Sequence, residues 1–197
     1  MLILRNHQFI LMTVLVWVVL SVSLMPAVTQ AQLYQLMDDL FASYKPEVRP
    51  TQAGEATHVY IAIYLLSIHN LDEKAQVLES SIMIEAEWLD DHLSWDEASY
   101  DNVTYFFYPQ KKVWLPDVVI ENSVESQTQL GFDEKVAVVD SYGQVKWKFN
   151  QVMKTGCDID VTYFLYDTQV CNFIVSTWTS TKDDIVIDVE AESNGLI

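Results

Sequence analysis

Cys157 and Cys171 are the only cysteines in the chain, and thirteen residues separate them. In an exported protein, two lone cysteines at this range are expected to form one disulfide. Closing a loop of about 15 residues contributes roughly 3 kcal/mol in the chain-entropy model. The enclosed segment is C-D-I-D-V-T-Y-F-L-Y-D-T-Q-V-C, and its middle carries Tyr163, Phe164, Leu165 and Tyr166 in a row. Polar residues are the usual occupants of so short a loop. An apolar tip with nowhere local to bury itself points to docking against another surface.

Export is itself read from the N-terminus. Residues 1–31 have the pattern of a secretory signal peptide: Arg5 in a basic start, an apolar run from Phe9 to Leu20, and the small-residue end Thr29-Gln30-Ala31. An uncleaved signal anchor is the alternative reading of the same run. No second apolar stretch reaches membrane length in these 197 residues, so the membrane domain of any channel is expected to be absent from this chain.

After residue 31 the pattern is first helical and then β. Leu33, Leu36, Met37, Leu40, Phe41 and Tyr44 recur at helical spacing, which predicts a short amphipathic helix ended by Pro46. Val59 to Ile68 is a nearly continuous β-rich run. Ile82, Ile84, Ala86 and Trp88 alternate with Ser81, Met83, Glu85 and Glu87, so one face is expected to be buried and the other to meet water or a partner. Shorter strands are expected at Val103–Tyr108, Val136–Asp140, Val145–Phe149, Ile159–Phe164, Cys171–Trp178 and Ile185–Glu190. Ser141-Tyr142-Gly143 and Lys154-Thr155-Gly156 read as turns. Many short strands with short connections imply an all-β fold, an antiparallel immunoglobulin-like β-sandwich with one N-terminal α-helix.

The chemistry of catalysis is missing. His58, His69 and His92 are scattered, and there is no G-x-S-x-G, no H-E-x-x-H and no phosphate-cradling glycine loop among five glycines. The chain is therefore read as a non-enzyme with no cofactor and no metal site, and Asp90-Asp91 and Asp183-Asp184 as solvated charge. A formal charge of −17 excludes nucleic acid as a partner and favours cations. Asn102-Val103-Thr104 is an N-glycosylation sequon in a stretch that reads as a loop.

Several motifs, in order, resemble one family. They are V-Y-I-A-I-Y-L-L-S-I-H-N-L-D-E-K (Val59–Lys74), W-L-D-D-H-L-S-W (Trp88–Trp95), W-L-P-D (Trp114–Asp117) followed by Asn122-Ser123, and the C-x13-C loop ending F-x-x-D-x-Q-x-C with Trp178 seven residues later. Together they look like the extracellular ligand-binding domain of the Cys-loop receptors, the pentameric ligand-gated ion channels, nicotinic acetylcholine receptor branch. The resemblance covers residues 32–197 and implies a domain incomplete at its C-terminus. It lacks the final two strands, the cysteine-bearing hairpin that closes over the ligand, and four membrane helices.

The resemblance implies that a small acetylcholine-like cation is captured between homologous subunits of a pentamer, on the extracellular face of the plasma membrane. Aromatic rings hold such a cation by cation–π attraction. Trp178 falls where the family places the central Trp of its principal face. Glu121 stands where ligand-binding subunits carry a cage Tyr, and Met83 where the complementary face carries Trp. Lys146 and Lys148 lie on the strand resembling the rest of that complementary face, where positive charge would repel an ammonium, and Trp147 between them is expected to point into the core. The loop tip Phe164, Leu165, Tyr166, Asp167 is the part that presses on the membrane domain in complete relatives, and it has Leu165 where the family has Pro. Two other readings follow from these departures: a secreted transmitter buffer like an acetylcholine-binding protein, and a non-binding truncated subunit that assembles with full-length partners.

Overall fold

A computed structural model describes residues 30–51, 54–125, 130, 135–163 and 166–189. The leader expected over residues 1–31 therefore lies outside the described residues, except for Gln30 and Ala31, as do Phe164 and Leu165 of the loop tip. One helix, α1 (Gln30–Phe41), precedes eight strands: β1 (Thr57–Asp72), β2 (Val77–Leu89), β3 (Tyr105–Pro109), β4 (Val118–Ile120), β5 (Val136–Asp140), β6 (Gln144–Gly156), β7 (Val175–Thr177) and β8 (Ile185–Val189). Six form one sheet in the order β3-β5-β6-β2-β1-β8, and β4 and β7 form a second. This is the all-β sandwich expected, with one short N-terminal α-helix among the described residues.

β2 shows why the sheet forms. Leu78, Ser80, Ile82, Ile84, Ala86 and Trp88 are buried while the residues between them remain half-exposed, a strict period of two. The same alternation on β6 buries Val145, Trp147, Phe149 and Met153, so Trp147 does point inward. These side chains meet Val118 and Ile120 of β4 and Leu36 of α1 in one core. Burying each large aliphatic side chain contributes roughly 1.5–3 kcal/mol. The Trp147 indole N–H donates to Gln110 Oε1 at 2.7 Å, which explains how a fully buried Gln is tolerated.

Three expectations about strands are corrected. Residues 159–163 are irregular, because the loop is held by side chains rather than by a ladder. The strand expected from Cys171 to Trp178 contracts to Val175–Thr177, so neither cysteine lies on a strand. The sheet is also not wholly antiparallel. β8 runs parallel to β1, Thr57 opposite Ile185 through Ile61 opposite Val189. The helix too is displaced from its expected span: it runs from Gln30 to Phe41 and stops well before Pro46, leaving Tyr44 beyond its end.

That displaced Tyr44 corrects a further expectation. Asp90 is completely buried, not solvated. Its Oδ2 accepts from the Tyr44 hydroxyl at 2.6 Å, its Oδ1 accepts from the His92 backbone N–H at 3.1 Å, and the Trp114 N–H donates to the Tyr44 oxygen at 2.9 Å. Burial, reinforced by the bond to Asp90, pushes the Tyr44 hydroxyl well above the ordinary tyrosine range. The Asp90 backbone N–H donates to Gly143 O at 2.8 Å, tying this node to the β5–β6 turn. Gly143 has φ +83°, and a Cβ there would lie 2.4 Å from the Asp90 carbonyl oxygen, so only glycine fits.

Candidate functional site

The second sheet presents the residue of greatest interest. β4 and β7 pair antiparallel, Val118 with Thr177, Val119 with Ser176 and Ile120 with Val175. The ladder continues one step at each end: Trp178 N–H donates to Asp117 O at 3.2 Å, and Glu121 N–H donates to Ile174 O at 2.8 Å. Val118 and Ile120 point into the core, so by the two-residue period Asp117, Val119 and Glu121 lie on the outward face, as do their partners Trp178, Ser176 and Ile174.

Trp178 is therefore not a core tryptophan; it is 65% exposed. Its backbone is nevertheless pinned. Asp117 Oδ2 accepts from the Thr179 backbone N–H at 2.6 Å and also from the Thr179 hydroxyl. A large aromatic ring left in water on a fixed backbone is an unusual use of a residue worth so much when buried.

Glu121 is exposed and shares this outward face, but at the other end of the ladder. Four residue steps along the strand lead from Asp117 to Glu121, about 13 Å at the usual rise per residue. Met83 belongs to the other sheet. It is half-buried on the solvent face of β2, opposite Tyr64 on β1 and Asn150 on β6. The structure thus places Trp178 and Glu121 on one face and Met83 on a different sheet.

Lys146 and Lys148 require a correction. Their ammonium groups are not free positive charge: Lys146 Nζ is 2.8 Å from Glu87 Oε1 and Lys148 Nζ is 3.1 Å from Glu85 Oε2. The β2–β6 register sets Glu87 directly opposite Lys146 and Glu85 opposite Lys148. The hydrogen bond that Lys146 donates to the Glu87 carboxylate raises the ammonium's pKa above its ordinary range. Both pairs are solvent-exposed and contribute only about 0–1 kcal/mol each, but they cancel the charge that would repel a cation.

The disulfide Cys157–Cys171 is present, with a Cα–Cα distance of 4.9 Å and Cys157 buried. Of the loop tip, Tyr163 and Tyr166 are 75% and 93% exposed, and Asp167 is exposed and accepts from Gln169 Nε2. Gln169 also clamps the loop across its neck. Its Oε1 accepts from Asp160 N–H and its Nε2 donates to Asp160 O, both at 2.9 Å. A glutamine two residues before a cysteine gives no such signal in sequence.

Asn122 is the second residue whose role the sequence hides. Its Nδ2 donates to Gly156 O at 3.0 Å and Asn172 O at 2.8 Å, and its Oδ1 accepts from Ile174 N–H at 3.1 Å. It ties the end of β4 to the end of β6 and to the segment after Cys171. Replacing Asn122 by Ala strands three backbone groups that water partly reaches. The expected loss is about 1–3 kcal/mol of stability, measured by denaturant unfolding.

Among the described residues no group of His, Cys, Asp and Glu could hold a metal ion, and no helix is long and apolar enough to cross a membrane. Residues 33–196 match the family described as "Neurotransmitter-gated ion-channel ligand binding domain". The chain belongs to that family. The chain is similar to the acetylcholine receptor subunit alpha-type acr-15 of Caenorhabditis elegans, 33% identical over 156 residues, covering 78% of this chain and 32% of that protein. The acetylcholine receptor subunit beta-type lev-1 of the same organism is 34% identical over 156 residues, 78% of this chain and 31% of the relative. The acetylcholine receptor subunit alpha-1-B of Xenopus laevis is 32% identical over 163 residues, 82% of this chain and 35% of the relative. The chain spans about a third of the length of these relatives. As a neurotransmitter-gated ion-channel ligand-binding domain, similar to that of nicotinic acetylcholine receptor subunits, it is a recognition module and not an enzyme.

Proposed function

We propose that this chain is the extracellular ligand-binding region of a nicotinic acetylcholine receptor-like channel subunit, assembling with homologous subunits so that a small acetylcholine-like cation is captured between neighbours. The observation that carries this reading is Trp178, 65% exposed on a backbone pinned by Asp117. A tryptophan face is the strongest side-chain partner for a quaternary ammonium. In this reading residues 1–31 direct export, the domain from residue 32 faces the cell exterior, and the loop bearing Tyr163, Tyr166 and Asp167 meets the membrane part of the assembly.

Glu121 and Met83 favour one refinement. Neither offers a ring, so of these three positions only Trp178 brings a ring to a cage that needs several aromatic faces within about 6 Å of the cation. Each missing ring costs about 0.5–2 kcal/mol, and 1.4 kcal/mol is tenfold in affinity. The chain is accordingly a contributor of one face within an assembly, not a free transmitter buffer. Titration of the purified chain with acetylcholine is expected to give no binding at micromolar concentration. Co-expressed with a full-length nicotinic subunit, it is expected to co-purify and to support acetylcholine binding that Trp178→Ala weakens. Micromolar binding by the chain alone, abolished by Trp178→Ala, would instead establish the secreted buffer, and failure to co-purify would end the subunit reading.

A further inference from the structure

The sequon at Asn102 is not used by the ligand face, and its surroundings are specific. Residues 97–100 form one short 3-10 turn, after which Asp101 and Asn102 both adopt left-handed backbone, at φ +56° and +58°. Asn tolerates that conformation better than most residues. The turn is held from below. Asn102 N–H donates to Glu97 O at 2.9 Å, Val103 N–H donates to Tyr100 O at 3.1 Å, and the Trp95 indole N–H donates to Val103 O at 2.7 Å. The Tyr100 hydroxyl donates to Asp39 Oδ2 of α1 at 3.0 Å. Every anchor is made by backbone or by neighbouring side chains, whereas Asn102 and Thr104, the two residues that define the sequon, are exposed.

Three residues further on, β3 begins. Among the described residues it is an edge strand, paired only with β5, and its solvent face carries Tyr105 and Phe107, 55% and 58% exposed, their rings edge-to-face at 5.8 Å. Phe107 lies opposite Val138, so the apolar surface continues onto β5. An open edge bearing exposed aromatics is a template for unwanted pairing, and folded proteins cover or blunt such edges. No charge on β3 itself does so; its sequence is YFFYP.

We propose that Asn102 carries an N-linked oligosaccharide, and that this glycan covers the β3 edge with its Tyr105–Phe107 pair. The sequon is recognised in the extended or turn conformation its exposed side chains allow, with the Thr104 hydroxyl completing the motif. In the transfer, Asn102 Nδ2 bonds to the anomeric carbon of an oligosaccharide carried on a lipid diphosphate. The bond from that carbon to the diphosphate oxygen breaks, the diphosphate leaves with the electron pair, and Nδ2 loses one proton. A hydrated, bulky chain rooted three residues from Tyr105 occupies the volume that another strand would need to approach.

The proposal rests on export of the chain, which belongs to the proposed function, and the test separates the two. The full chain is translated with microsomal membranes and digested with protease from outside. A protease-protected product is expected to migrate as a glycosylated form that an amidase specific for N-glycans collapses to the protein mass. Asn102→Gln and Thr104→Ala are expected to abolish the shift, while Thr104→Ser retains it. Thr104→Ala keeps Asn102 and its backbone bonds, so loss of the shift there is not a folding failure. Secreted Thr104→Ala protein is further expected to elute as larger species than the glycosylated chain at equal concentration, and Phe107→Lys in that background to restore the smaller species. A protected but unshifted product overturns the modification, an absence of protected product overturns the export it needs, and equal elution of the Thr104→Ala and glycosylated proteins overturns the shielding.

Discussion

Replacing Trp88 by Ala is expected to lower the stability of the domain by about 3–5 kcal/mol, the usual cost of deleting a buried indole. Trp88 is 2% exposed, lies opposite Val59 on β1 and Val145 on β6, and meets Trp114 edge-on with ring centroids 5.8 Å apart. Backbone strands on both sides limit how far the site collapses, so most of the cavity persists. Its indole N–H finds no hydrogen-bond partner among the described residues, so packing alone carries its contribution. Trp88→Phe should therefore be mild, because it removes an unsatisfied donor along with one ring. At about 2–4 °C per kcal/mol for a domain of this size, the Ala variant should melt roughly 6–20 °C lower. A calorimetric scan of both variants checks this, and equal losses in the two would show that the N–H matters after all.

Substituting Cys157 and Cys171 together by Ala is expected to cost about 2–5 kcal/mol. The two residues are 14 apart, and among the described residues between 157 and 174 the loop they close has no ladder of its own. Among the described residues its other ties include the Gln169 clamp on Asp160, the Asn122 bonds to Asn172 and Ile174, and the Cys157 N–H donated to Gln76 O. Once the covalent link is gone, the unfolded chain regains the loop entropy, and these bonds return only about 0.5–1.5 kcal/mol each. The double variant avoids leaving a free thiol, so guanidinium unfolding reads the link itself. A change below about 1 kcal/mol would mean that the side-chain clamps close the loop unaided.

The elements that were legible share one property. β2 was readable because burial there follows a period of two for twelve residues, and that period is written into the side chains themselves. Trp147, between two lysines, obeys the same rule. The short helix was readable from its apolar stripe, but not its limits, since its end is set by tertiary packing, with the Phe41 ring stacked on Tyr108 at 3.9 Å between centroids. The strand expected at Ile159–Phe164 had β-favouring residues, and over the described residues 159–163 it pairs with no neighbouring strand. Intrinsic β preference is weak beside the presence or absence of a neighbouring strand.

The candidate site divides in the same way. That Trp178, Glu121 and Met83 are the residues to weigh follows from motif order along the chain. That Trp178 is in water follows only from the β4–β7 register and from Asp117, 62 residues away from Thr179, pinning its backbone. The lysines of β6 are unpaired on paper and neutralised in the fold, because a cross-strand neighbour is not a sequence neighbour.

By itself, then, the chain's sequence determined the β class, the inward face of its central strands, the single disulfide and its family. Each is encoded in local alternation, in the count of cysteines or in the order of motifs. Tertiary structure alone decided the parallel seat of β8 on β1, the burial of Asp90 beneath Tyr44, the anchoring role of Asn122 and the exposure of Trp178. These depend on which distant segments share an edge, and that choice is made by the packed core as a whole rather than by any stretch of residues read along the chain.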